Sequence, residues 1–181
     1  ADGPGPLSGA DFSAWSEQLQ KVDDLGAVAL VERNLIVNGT AEPIAVAEMT
    51  ASWFRVARVQ PLVGRALVEA DESLTAPPVA VIGHALWQRR FLGDPHVVGR
   101  SVRLGSEQIT IVGVMPESFA FPEAQTPVWA PLDASNPKYL GTFGYGGIGL
   151  LRPGVTPEAA QRELAQILPR AVERFPEQRP G

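Results

Sequence analysis

The sequence predicts an α+β fold in which a small βαββ unit is inserted into a part built from both chain ends. Three observations lead there. Helical stretches with one apolar stripe lie near both ends, beginning at Asp11 and at Thr156. A tight-hairpin signal, Asn38-Gly39 between two β-rich runs, follows the first of them. The stretch from Val79 to Met115 reads as a buried strand, a two-turn helix and a second hairpin.

The elements follow in order. Phe12, Trp15, Leu19 and Val22 are spaced as one helical face, and Gly26 sits where that helix would stop. Ser52 is placed to cap a short segment whose Trp53 and Phe54 are core anchors. The run Gln60–Arg65, "QPLVGR", is a turn punctuated by Pro61 and Gly64, and "EADESLTAPP" is an acidic loop. "VAVIG" is a buried strand and "HALWQRRFLG" a helix closed by Gly93. "SVRLGSEQITIVGVM" alternates as a hairpin turning at Gly105-Ser106, with Val102, Leu104, Ile109, Ile111 and Gly113 on one face. "VWAPL" and "IGLL" are short strands separated by the loop "NPKYLGTFGYGG". Thr156 and Pro157 then open the last helix, where Pro169 predicts a kink or a break. Phe54, Trp87 and Phe91 are expected in the core.

Composition narrows the function classes. The 181 residues are 45% hydrophobic and 19% charged, enough to bury a core in one domain or two small ones. A net charge of −5 argues against nucleic acid as a partner. With no cysteine, disulfides, thiolate-bound zinc and thiol catalysis are excluded, while an oxidising compartment stays open. No apolar run of about 18 residues is present. The polar ends "ADGPGPLSG" and "PEQRPG" lead us to expect a segment excised from a longer protein.

The candidate chemistry is sparse. Gly144, Gly146 and Gly149 match a dinucleotide fingerprint by letters, but a loop precedes them and a strand follows, where a phosphate site needs strand then helix. His84 and His96 are the two histidines, and neither lies in a nucleophile elbow or a zinc-binding helix motif. Asn38-Gly39-Thr40 is a glycosylation sequon by letters, which the turn explains better. Arg89, Arg90, Arg100 and Arg103 form a basic cluster. Arg89 and Arg90, adjacent on a helix, are expected to point apart, and at least one arginine to pair with Glu69, Asp71 or Glu72.

Taken together, the motifs of the middle of the chain resemble a known family. Phe54 stands ahead of Pro61, Gly64 and Arg65. Asp71, Val81-Ile82 and Leu86-Trp87 follow, with Phe91 on the same helix. Then come Gly93-Asp94-Pro95, Val98-Gly99-Arg100 and Val112-Gly113-Val114-Met115-Pro116. In that order they resemble the MacB-like periplasmic core domain of FtsX-type ABC transporter permeases, most nearly the branch abundant in acidobacteria. "LLRPGVTPEAAQREL" resembles the family's closing strand and helix. Ala57-Arg58 stands where the family usually has a Leu-Gly pair, and His96 where small residues are common.

The resemblance implies a porter-like subdomain from residues 1–66 and 125–181, with an inserted Sabre-like subdomain at 67–124. It implies a non-catalytic domain outside the bacterial cytoplasmic membrane, without cofactor or metal. Its role there is to pass ATP-driven movement of membrane helices outward, for export or efflux. The implied partners are a second copy of the permease, a cytoplasmic ATP-binding subunit reached through the membrane helices, and a periplasmic adaptor protein. The residues alone leave open a stand-alone extracytoplasmic ligand-binding or sensory module, and an enzyme using His84 or His96.

Overall fold

Val37 and Thr40 face each other across Asn38-Gly39, whose φ angles of 51° and 79° are both left-handed. A two-residue hairpin with the natural strand twist needs those angles. The turn sets the register of β1 (Val22–Val37) against β2 (Thr40–Met49), from Val37↔Thr40 to Val28↔Met49. The computed structural model describes residues 9–123, 126–132 and 146–174. The chain divides into two units, Ala1–Ala27 with Asp133–Gly181, and Val28–Leu132.

In the Val28–Leu132 unit the hairpin is followed by α2 (Ser52–Ala57), β3 (Val63–Gly64), β4 (Val79–Gly83) and α3 (His84–Phe91). Then come β5 (Ser101–Leu104), β6 (Glu107–Met115) and β7 (Val128–Pro131). Strand pairing runs β1-β2-β7-β4-β6-β5 and returns to β1 through Leu35↔Leu104 and Ile36↔Arg103. β2–β7 and β4–β6 are parallel and the other pairs of the circuit antiparallel. The six strands therefore close on themselves, which removes the free edges an open sheet would carry.

The circuit's core follows from the alternation of its strands. Leu35, Ile44, Val46, Ile82, Ile111 and Val114 are all buried, with Leu86 and Phe91 of α3 in the same cluster. Each such side chain contributes about 1.5–3 kcal/mol when removed from water. A second aromatic group stands on α2: Phe54 stacks on Phe119 at 5.4 Å, Phe119 meets Trp129 edge-on at 5.0 Å, and Trp53 lies 4.0 Å from Phe121. Ser52 is the first residue of α2, not its cap. Its buried hydroxyl lies 2.7 Å from that of Thr50. Trp87, expected in the core, is only half-buried, and its indole N–H donates to the Asp94 carbonyl at 2.8 Å.

In the other unit, α1 (Gly9–Gln18) packs with α4 (Pro157–Arg174), and β8 (Gly146–Leu151) lies beside β1. The helix expected to run to Gly26 ends at Gln18, and Val22 already begins a strand. Two carboxylate bonds explain the change: Glu163 of α4 accepts the Gln20 and Lys21 N–H groups at 3.3 and 3.0 Å. Arg152 donates its N–H to the Lys21 carbonyl at 3.0 Å, so the backbone finds strand partners in place of helical ones. Thr156 caps α4 through the Ala159 N–H at 3.3 Å. Of the kink or break expected at Pro169, the break does not occur: α4 extends through it to Arg174. Gly146 and Gly149 belong to β8, while Gly144 and most of the loop before it lie outside the described residues.

Phe54→Ala is expected to lower unfolding free energy by about 3–5 kcal/mol, since it empties a buried aromatic site. Urea denaturation checks this, and a loss below about 1 kcal/mol contradicts the core described here.

Candidate functional site: the turns that dock on strand β6

β6 has nine residues and β5 only four, so much of one β6 edge extends beyond its neighbour. The carbonyls there accept from elsewhere: Ile111 from the Gly99 N–H, Val112 from Arg65 and Val114 from Leu62, at 2.8, 2.9 and 2.8 Å. The Pro61–Arg65 turn thus becomes β3. Its Gly64 pairs in register with Gly113. A Cβ on Gly64 would lie 2.2 Å from the Val112 carbonyl oxygen, and one on Gly113 would lie 2.1 Å from that of Arg65. Gly64 also has φ 71°. Only glycine at both positions lets the two backbones approach this closely.

Arg65 then closes the acidic loop. Its guanidinium forms a two-bond fork with Asp71, Nη1 to Oδ2 at 2.6 Å and Nη2 to Oδ1 at 2.9 Å. Asp71 Oδ2 also accepts the Val68 N–H at 2.9 Å, and the Glu72 carboxylate accepts the Ala51 N–H at 2.7 Å. Burial alone would push the Asp71 carboxyl up. The Arg65 and Val68 hydrogen bonds and the Arg65 charge reverse that and hold it below its ordinary value. The Asp71 hydrogen bond raises the Arg65 guanidinium in turn, against a smaller opposing effect of burial.

The segment leaving α3 is built from the same kind of bond. Leu92 takes the left-handed position after the helix, φ 56°, and Gly93 follows at φ 66° with its N–H on the Trp87 carbonyl at 3.3 Å. The stop therefore spans two residues, Leu92 as well as Gly93. Asp94 accepts the His96 N–H at 2.8 Å through its side chain and the Val97 N–H at 3.2 Å through its carbonyl. Pro95 opens a short 3₁₀ turn, and Val97 is buried. Gly99 turns at φ 87°, which aims its N–H at β6. Arg100 lies over the Phe91 ring, 5.4 Å from its centre, and 4.0 Å from Asp94. Pro116 ends β6, its carbonyl accepting the Phe119 N–H at 2.9 Å.

The remaining arginines correct two expectations. Arg89 and Arg90 do not point apart: both reach Glu42 of β2, and Arg90 also donates to the Thr40 carbonyl at 3.0 Å. Long side chains on successive helical residues can converge on one carboxylate when it lies over the helix. Asp71 of the acidic loop pairs with Arg65, an arginine outside the noted cluster, and Arg103 donates to the Gly105 carbonyl at 3.3 Å. Glu42 and Glu163 were missed in the sequence because their partners lie 47 and about 142 residues away. His84 sits at the start of α3 edge-on to Trp87 at 5.8 Å, and His96 is exposed beside Asp94 at 3.4 Å. Among the described residues no group of three or more His, Cys, Asp or Glu is placed to hold a metal ion.

The geometry thus defines a domain whose marked residues shape and fasten turns. The model of the MacB-like periplasmic core domain matches residues 2–167, and the chain belongs to that family, whose domains are carried by ABC transporter permeases. The fold is shared with solved structures. The periplasmic region of MacB from Actinobacillus actinomycetemcomitans is 15% identical with a TM-score of 0.73, over 98% of this chain and 86% of that one. The extracellular domain of the noncanonic ABC-type transporter YknZ from Gram-positive bacteria is 16% identical with a TM-score of 0.70, over 93% and 85%. A domain assigned to a permease protein from Porphyromonas gingivalis is 21% identical with a TM-score of 0.72, over 97% and 76%. No curated protein matches the sequence. No helix among the described residues is long and apolar enough to cross a membrane.

Four measurements follow from these turns. Gly113→Ala is expected to cost about 3 kcal/mol in urea denaturation, because its methyl meets backbone. Gly99→Ala, whose methyl meets open space at a left-handed φ, should cost only about 1 kcal/mol. Arg58 holds a left-handed φ of 54° without being a glycine. Arg58→Gly should therefore stabilise by about 1 kcal/mol. Asp71 has a lowered folded-state pKa, so its stabilisation is full above the unfolded value and is lost as pH falls through the folded one. Asp71→Asn should flatten the acid side of the stability–pH curve, and an unchanged acid limb contradicts the fork's role.

Proposed function

We propose that the chain is the extracytoplasmic domain of an ABC transporter permease, and that it transmits ATP-driven membrane-helix motion to the outside without catalysing a reaction itself. The family match over residues 2–167 carries this reading. The fastening roles of Arg65, Asp71, Asp94 and Arg100 support it, for a transmitter needs packed elements that move as bodies and fixed turns between them. In this reading ATP is hydrolysed on a separate cytoplasmic subunit, a second copy of the permease stands alongside, and a periplasmic adaptor completes the path for export or efflux. In this reading an inserted Sabre-like subdomain spans 67–124 and a porter-like subdomain is formed by 1–66 and 125–181. The motif combination further supports the permease branch abundant in acidobacteria.

The full gene tests the reading first: apolar helices of about 20 residues should flank this domain. Replacing Val28–Leu132 by a short linker in the full-length protein should then abolish cargo export while the ATP-binding subunit still hydrolyses ATP. A gene encoding a free-standing secreted protein, or export that survives the replacement, overturns the proposal.

A further inference from the structure

At the end of α1 the helical ladder is left unfinished. The Leu19 N–H still bonds the Trp15 carbonyl at 2.9 Å, one position past the last helical residue. The next two N–H groups, of Gln20 and Lys21, turn instead to the Glu163 carboxylate. Glu163 is well covered, with 14% of its side chain exposed, and the Lys21 ammonium lies 3.6 Å from it. Val22 then opens β1, and its side chain lies against Gly149 of β8, where an added Cβ would meet it at 3.1 Å. The Lys21 carbonyl accepts the Arg152 backbone N–H, and the Arg152 guanidinium reaches Asp23 at 3.1 Å.

The same residues also suit a longer helix. Phe12, Trp15, Leu19 and Val22 keep one helical face, and Gly26 stands where that helix would stop. The two N–H groups bonded to Glu163 are the ones such a helix needs in order to propagate. Asp23 and Asp24 would lie at its negative end, which sets the longer helix above the strand form in free energy. Residues 20–26 thus have two discrete arrangements, and one carboxylate on α4 selects between them. Passing residues 22–26 from strand to helix shortens the chain there by about 9 Å, the rise per residue falling from about 3.3 Å to about 1.5 Å.

We propose that residues 20–26 are a helix–strand switch, held in the strand form by Glu163. Only its drive rests on the permease reading: movement of the membrane helices displaces α4 along α1 and draws the carboxylate off the two N–H groups. The first helix then lengthens, and β1 shortens ahead of Val28. Charge-assisted bonds hold firmly while aligned and weaken steeply once misaligned, which is what a latch requires.

The chain has no cysteine, so an introduced pair can report the strand form. In the full-length protein in its membrane, with any cysteine elsewhere replaced by serine, Val22→Cys with Gly149→Cys should bridge under mild oxidant, because the two side chains meet at disulfide spacing. Adding Glu163→Ala should slow bridging about tenfold, and Glu163→Gln, which keeps one acceptor oxygen, about threefold. Adding Glu48→Ala, which breaks the 2.8 Å pair with Arg33 inside the β1–β2 hairpin, should leave the rate unchanged. In Glu163→Ala the amides of residues 22–26 should stay protected from hydrogen exchange, as a helix keeps them. Bridging should lower export about tenfold with ATP hydrolysis retained, and reductant should restore it.

A pair that does not bridge, a rate indifferent to Glu163→Ala, or one slowed equally by Glu48→Ala overturns the inference. So does rapid exchange at residues 22–26, which means fraying in place of a helix, or a bridged protein that exports as fast as its reduced form. Loss of protection across residues 28–37 in Glu163→Ala marks general unfolding; the bridged and reduced forms, which keep Glu163, then decide the matter alone. Full export from the bridged form of a protein that loses export when Val28–Leu132 is replaced overturns the switch and leaves the permease reading standing.

Discussion

The backbone of β6 imposes the constraint on which the Val28–Leu132 unit depends. A nine-residue strand offers a full row of carbonyls on each edge, and a four-residue neighbour covers less than half of one. A buried carbonyl without a donor costs free energy comparable to a lost hydrogen bond. The chain meets the requirement by bringing two separate turns, Pro61–Arg65 and Pro95–Arg100, against the uncovered part. Each turn arrives with a glycine where a side chain would collide or where φ must be positive.

The charged residues follow from that arrangement. Turns held only by backbone bonds would fray, and each of these has an arginine at its end. Arg65 is forked onto Asp71, which also takes the Val68 N–H, so one carboxylate ties β3 to the loop after it. Arg100 lies over Phe91 and near Asp94, which ties the second turn back to the helix it left. These pairs are partly exposed, so each contributes modestly to stability. Their larger effect is geometric, for they fix where the turns begin and end.

The transmitting role proposed above asks for a body that keeps its shape under load. The closed circuit of strands has no free edge to slip along, and its core side chains interdigitate across all six strands. Packed bodies of this kind respond to load by moving as units rather than by deforming. Asp94, beside Pro95 and His96, is occupied with the backbone of its own turn.

The sequence by itself determined the local features. Asn38-Gly39 specified its hairpin, alternation specified β5 and β6, and the Thr156-Pro157 pair specified the start of α4, because each rests on contacts a few residues apart. The family motifs marked Arg65, Asp94 and Gly99, whose demands are likewise local: a carboxylate six residues away, a turn and a left-handed φ. What only the tertiary structure decided is long-range. Val22 to Ala27 became strand instead of helix because Glu163, far along the chain, takes the Gln20 and Lys21 N–H groups. Arg89 and Arg90 converged because β2 brings Glu42 over their helix. Gly113 became irreplaceable only once Arg65 was laid across it. Periodicity and turn chemistry report what a segment prefers in isolation, whereas the closing of the strand circuit and the pairing of distant charges depend on which segments the fold makes neighbours.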